Sequence, residues 1–271
     1  MIAYRISVFR YEKVDDSFNF TRLKKLLVFG FLAVFMFSGC GLIYRGVLGV
    51  DTTPQWFEKK DIDKKIKKWN LENEIHLILD TASYTNVIKR HTKRAIDSLS
   101  VDTSIATKRL RYKAGAVGKD DLQPVQVRLF TQDGEEIFKL VNCYVDPPIP
   151  MDWNVEKAFD SFPLYTPDIV RNTHNYDLEF LLSHTKTLKG ESIGVADLKS
   201  SDYYLVIIWN SFFIRPSKKL IETVKEYIAA HPEVAITPIY INNHNAQIWN
   251  QIEDEQRQLI YEHYKEKDGK N

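Results

Sequence analysis

Thiols are scarce in this chain of 271 residues, which carries two cysteines, Cys40 and Cys143. Two thiols cannot build a disulfide framework or the ligand set of a structural zinc site. No sign of charge dominates: 37 Lys and Arg face 36 Asp and Glu, leaving a net charge of +1. Without a global field there is no long-range draw to nucleic acid, and no nucleic-acid module is present. The 11 glycines never gather into a phosphate loop. No repeat or low-complexity tract breaks the chain, and its histidines lack metal-ligand spacing within any helix. Neither a metal nor a cofactor is therefore expected.

What is plentiful is core-forming material. Hydrophobic residues make up 44% of the chain, with 14 Tyr, 15 Phe and 5 Trp, which is ample for a folded body and excludes global disorder.

The first segment with a distinct character is near the N-terminus. Arg22, Lys24 and Lys25 lead into the apolar run "LLVFGFLAVFMF" (26–37), followed by "SGCG". A positive flank, a short apolar run and small residues form a secretory signal. With a cysteine directly after Ser38 and Gly39, the segment resembles a bacterial lipoprotein signal. That resemblance implies a signal peptide over 1–39, cleavage before Cys40, and a thiol at Cys40 that carries membrane lipid. Residues 40–57 would then be a tether. The competing reading is an uncleaved anchor, since the 19 residues of 26–44 are just long enough to span a bilayer. Either way the positive flank stays in the cytoplasm, and the rest faces the extracytoplasmic side of the cell envelope.

Residues 58–177 read as an α+β region. "KKDIDKKIKKW" holds six lysines in eleven residues, and Ile62, Ile66 and Trp69 share one helical face. This spacing suits a first helix docking three apolar residues, or a helix lying on a lipid surface. A buried strand is expected over 75–80. A helix capped by Ser83 should follow to Leu99, then a basic helix over 105–112, with "GAVGKDDLQ" as loop. Between 124 and 145 the alternation of Val125, Val127 and Leu129 with Gln126 and Arg128 predicts a hairpin. Asp133-Gly134 would form its turn with both residues at positive φ. Cys143 falls in its second strand and reads as a buried structural cysteine. Residues 146–173 hold five prolines interleaved with Trp153, Phe159, Phe162 and Tyr165. Such a segment either wraps the core or lines a groove.

Residues 178–271 alternate strand and helix: strand 203–209, helix 216–230, strand 233–241 and a last helix over 245–264. Short links of this kind imply a parallel pair with a right-handed crossover and an α/β, or α+β, fold class. The stretch "VADLKSSDYYLVIIWNSFFIRPSKKL", with the later strand "EVAITPIYI" and the polar loop reaching Trp249, resembles the membrane-anchored thioredoxin-like proteins of bacterial envelopes. The resemblance implies a mixed sheet in three layers, with redox cysteines at the positions of Phe213 and Pro216. This chain has none there. It also implies an antiparallel hairpin after the βαβ unit, and here the earlier one at 124–145 would have to complete the sheet. The N- and C-terminal regions would then form a single domain.

Dithiol exchange needs a thiolate and a second sulfur, and the mature chain keeps only Cys143. The expected role is therefore a binding or assembly protein of the envelope; Phe212 and Phe213 either touch a protein partner or fill the core. The alternative is an envelope hydrolase using His244, Asp160 and the proline-rich segment. Asn242, Asn243 and His244 follow the end of a parallel strand, where α/β sheets place ligands, or they form a turn capping the last helix. "GESIG" (190–194) matches a nucleophile elbow only in letters, because neither a core strand nor a buried helix flanks Ser192.

Overall fold

In a computed structural model of the protein, residues 57–99, 105–143, 152–164 and 176–245 are described. In chain order these form α1 (Lys59–Lys68), β1 (Ile75–Leu79), α2 (Thr81–Asp97), α3 (Ile105–Asp121), β2 (Gln126–Thr131) and β3 (Glu136–Val141). After them come α4 (Leu178–Ser183), β4 (Thr185–Thr187), β5 (Tyr203–Trp209), α5 (Ile214–Ala230) and β6 (Ile236–Asn242).

β5 is apolar on both faces, and it lies inside the sheet accordingly. Leu205, Ile207 and Trp209 point into one hydrophobic cluster, while Tyr204, Val206 and Ile208 point into a second. The strand order is β3-β2-β5-β6-β1-β4. β5, β6 and β1 are parallel neighbours; β2 lies antiparallel to both β5 and β3, and β4 antiparallel to β1. The fold is thus mixed α/β, with one six-stranded sheet drawing on both halves of the chain.

Helices cover both faces. On the first, α1 contributes Ile62 and Ile66, joined by Trp69 just past its end, and α5 contributes Leu220, Val224 and Tyr227. The three apolar residues of α1 are therefore docked on the core. The same cluster takes in Trp153, Val155, Ala158, Phe159 and Leu164, so the described part of the proline-rich segment wraps the core. Trp153 is fully buried, and its indole Nε1 donates to the Pro216 carbonyl at 3.1 Å. On the second face lie Tyr84 and Ile88 of α2 and Leu178, Leu181 and Leu182 of α4.

Several local expectations are corrected. Asp80, not Ser83, caps α2: its carboxylate accepts from the Ser83 backbone N–H at 2.9 Å. α3 runs on through Gly115 and Gly118 to Asp121, so "GAVGKDD" is helix rather than loop. A Cβ at Gly118 would sit 1.9 Å from Thr92 Oγ1, and the missing side chain lets α3 close on α2. In the hairpin only Gly134 has positive φ, at 83°, and the Thr131 N–H bonds across a three-residue loop to the Glu135 carbonyl. β3 ends at Val141, which leaves Cys143 beyond the strand and exposed. Apart from Asn245, the last helix expected over 245–264 lies outside the described residues, as do Cys40 and the whole of 1–56. Among the described residues no helix is long and apolar enough to cross a membrane.

Candidate functional site

β5 and β6 stop side by side, with Trp209 opposite Asn242, and a run of short polar residues follows each strand. Parallel strands release their chains at one edge, so the β5–α5 turn and the segment after β6 meet there. The Asn243 N–H donates to the Trp209 carbonyl at 3.1 Å, extending the pairing by one bond. Asn210 Nδ2 donates to Asn243 Oδ1 at 2.9 Å, and Asn210 Oδ1 accepts from the Phe212 N–H at 2.7 Å. Ser217, in the first turn of α5, accepts from the Asn210 N–H at 3.0 Å and donates to the Asn210 carbonyl at 2.9 Å. Pro216 is tolerated one residue earlier because a first-turn position needs no N–H.

Aromatic rings seal this edge. His244 is 2% exposed and lies between two phenyl rings: Phe212 at 4.3 Å and 14°, and Phe57 at 3.8 Å and 29°. Phe57 is held there by Asn245, whose Oδ1 accepts from the Phe57 N–H and whose Nδ2 donates to its carbonyl, each at 2.9 Å. The chain arriving from the N-terminal side is thereby fastened over the strand ends.

Of the residues singled out from sequence, Asn242, Asn243, His244 and Phe212 converge here and are all buried. Of the two phenylalanines, Phe212 fills the core, and Phe213 is half-buried just before α5. Asp160 sits elsewhere, in the wrap: its Oδ1 accepts from Asn154 Nδ2 at 2.6 Å on an exposed turn. Ser192 is exposed in the turn after β4. Among the described residues, Ser211 Oγ and Asn242 Nδ2 are buried at the strand ends without a hydrogen-bond partner. The edge thus offers neutral donors and acceptors beside stacked rings. Among the described residues no group of three His, Cys, Asp or Glu is placed to hold a metal.

A second polar cluster escaped the sequence reading. Gln126 and Arg128, the polar half of the β2 alternation, are buried under the end of α3. Arg128 Nη2 reaches Asp121 Oδ1 at 3.0 Å, Nη1 reaches Glu136 Oε1 at 3.1 Å, and Nη2 also donates to Gln126 Oε1 at 2.7 Å. Lys139 pairs with Asp121 as well. Burial pushes the Glu136 carboxyl up and the Lys139 amine down from their ordinary values, Arg128 partly offsetting the first shift and adding to the second. Tyr84, kept protonated by burial, donates to the Asp121 carbonyl at 3.1 Å. The signal that could have pointed to this cluster is Arg128 facing Lys139 across the hairpin. Two cations in register on a covered face require buried carboxylates.

No protein-family model, curated protein or solved structure matches the chain.

Proposed function

We propose that this protein is a lipid-anchored binding or assembly protein of the bacterial envelope, built on a redox-inactive thioredoxin-like fold. The anchor is Cys40, by the residues that precede it. The fold reading is supported by the run β6-β5-β2-β3, a parallel βαβ unit with an antiparallel hairpin on its far side. In this chain the hairpin precedes the βαβ unit instead of following it. β1, parallel beside β6, extends the same sheet.

The observation that carries the non-catalytic reading is the stack of Phe57, His244 and Phe212. It fills the strand-end edge, where a thioredoxin-like protein would present its thiols, with packed rings. Phe213, half-buried beside it, is the side chain left to meet a partner.

Two measurements test the proposal. Metabolic labelling with an alkyne fatty acid should mark the wild-type chain and not Cys40→Ala; equal labelling of the two removes the anchor. A photo-crosslinking residue at position 213 should capture one discrete envelope protein. No adduct there from the folded, membrane-bound chain removes this contact.

A further inference from the structure

The charge balance of the whole chain conceals a strongly basic patch. Residues 81–121, which hold α2 and α3, carry nine Lys and Arg against four Asp, in a chain whose net charge is +1. Two of those acids, Asp120 and Asp121, are buried, and Asp121 is paired internally with Arg128 and Lys139. Lys89, Arg90, Lys93 and Arg94 on α2, and Lys108, Arg109 and Lys119 on α3, are exposed.

Two surface grooves run along α2 and share Lys89 and Lys93. One of about 610 Å³ is lined by Ser83, Asn86 and Arg90 with these lysines. The other, of about 310 Å³, opens where Gly118 lets the helices close; Ile96, Leu122 and Lys119 complete it. Ammonium groups beside an apolar recess match a phosphodiester joined to acyl carbons. Among the described residues no aromatic side chain lines either groove, which gives no stacking platform for a single-stranded nucleic acid there. α1, the other lysine-rich helix, has its apolar side committed to the core.

We propose that the grooved side of the α2–α3 hairpin is the face this protein lays on an anionic phospholipid surface, with Lys89, Lys93 and Lys119 pairing lipid phosphates. This rests on the anchored reading given above. Phe57 lies 17 residues after Cys40, so an extended tether reaches at most about 60 Å and holds the folded body within that distance of the bilayer.

The test uses the full acylated chain carrying Cys143→Ser and Asn86→Cys, labelled at position 86, beside Lys89 and Lys93 in the larger groove, with an environment-sensitive dye. It is reconstituted in vesicles of phosphatidylcholine alone or mixed with phosphatidylglycerol. Emission should shift to the blue only on the anionic vesicles, return with high salt, and be lost with Lys89→Glu and Lys93→Glu while circular dichroism stays unchanged. Equal emission on the two vesicle types, or a shift that survives charge reversal, overturns the docking. Flotation reads the anchor separately. A chain that floats with both vesicles and shows no blue shift loses the docking and keeps the anchor. A chain that floats only with anionic vesicles keeps the docking and loses the anchor. An oligonucleotide bound through these lysines, with no response to phosphatidylglycerol, replaces lipid by nucleic acid as the occupant.

Discussion

Arg128 and Asp121 meet at 3.0 Å with neither side chain exposed to solvent. This pair fastens the end of α3 to the β2–β3 hairpin, and Lys139 and Glu136 complete its charge balance. Removing one member of a buried ion pair strands its partner, at a cost of about 3–5 kcal/mol. Asp121→Asn should lower stability by that amount in urea denaturation. Adding Lys139→Met to it should recover a sizeable part, because the cluster again holds one cation and one carboxylate. A strictly additive double variant would show that these groups do not act together.

Phe212 and Phe213 are adjacent in sequence and unequal in the fold. Phe212→Ala removes a buried ring stacked on His244 and should cost about 3–5 kcal/mol. Phe213→Ala should cost markedly less, since that ring is half-buried. Comparing the two denaturation midpoints decides the matter, and equal losses would place both rings in the core.

Gly118→Ala forces a methyl group against Thr92 and should destabilise by about 1–3 kcal/mol through overpacking. Thr92→Gly in the same chain should relieve most of the loss. The same change at Gly115, where a Cβ meets nothing within 4 Å, should instead be neutral or stabilising.

His76 gives stability a defined pH dependence. Its Nε2 donates to the Leu71 carbonyl at 2.7 Å, and its Nδ1 is buried with no partner among the described residues. Burial holds the ring below the ordinary histidine value of 6.5. Between that value and the lowered one the unfolded chain binds more protons than the folded chain, so stability falls as the pH drops through this window. Below the lowered value the loss is complete. His76→Gln should flatten this part of the profile, and an unchanged slope would assign the dependence to another group.

Where both faces of an element are apolar, its sequence is nearly unambiguous: β5 occupies Tyr203–Trp209, the range its unbroken hydrophobic run predicts. α1 was legible for the matching reason, because its three apolar residues recur at helical spacing. The continuation of α3 was hidden because Gly115 and Gly118 weaken a helix locally, and the contact that repays Gly118 lies on another helix. Gln126 and Arg128 looked like the outward half of an alternating strand; only the cross-strand pairing of Arg128 with Lys139 hints at carboxylates nearby, and the burial of Asp121 and Glu136 follows from how α3 packs. His244 was found through its place after a strand. Its enclosure by Phe57, 187 positions earlier, is a long-range event without a local signal.

The strand order also sets a timetable for folding. β1 with β4, and β2 with β3, form separate pieces whose missing neighbours are β5 and β6. During synthesis each piece emerges with an unpaired strand edge, and neither can close until residues 203–242 follow. Long-range pairing of this kind is slow and leaves edges open to wrong partners. The chain therefore depends on its final strands to protect its first ones, and a polypeptide cut short before β5 is a pair of exposed edges rather than a smaller domain.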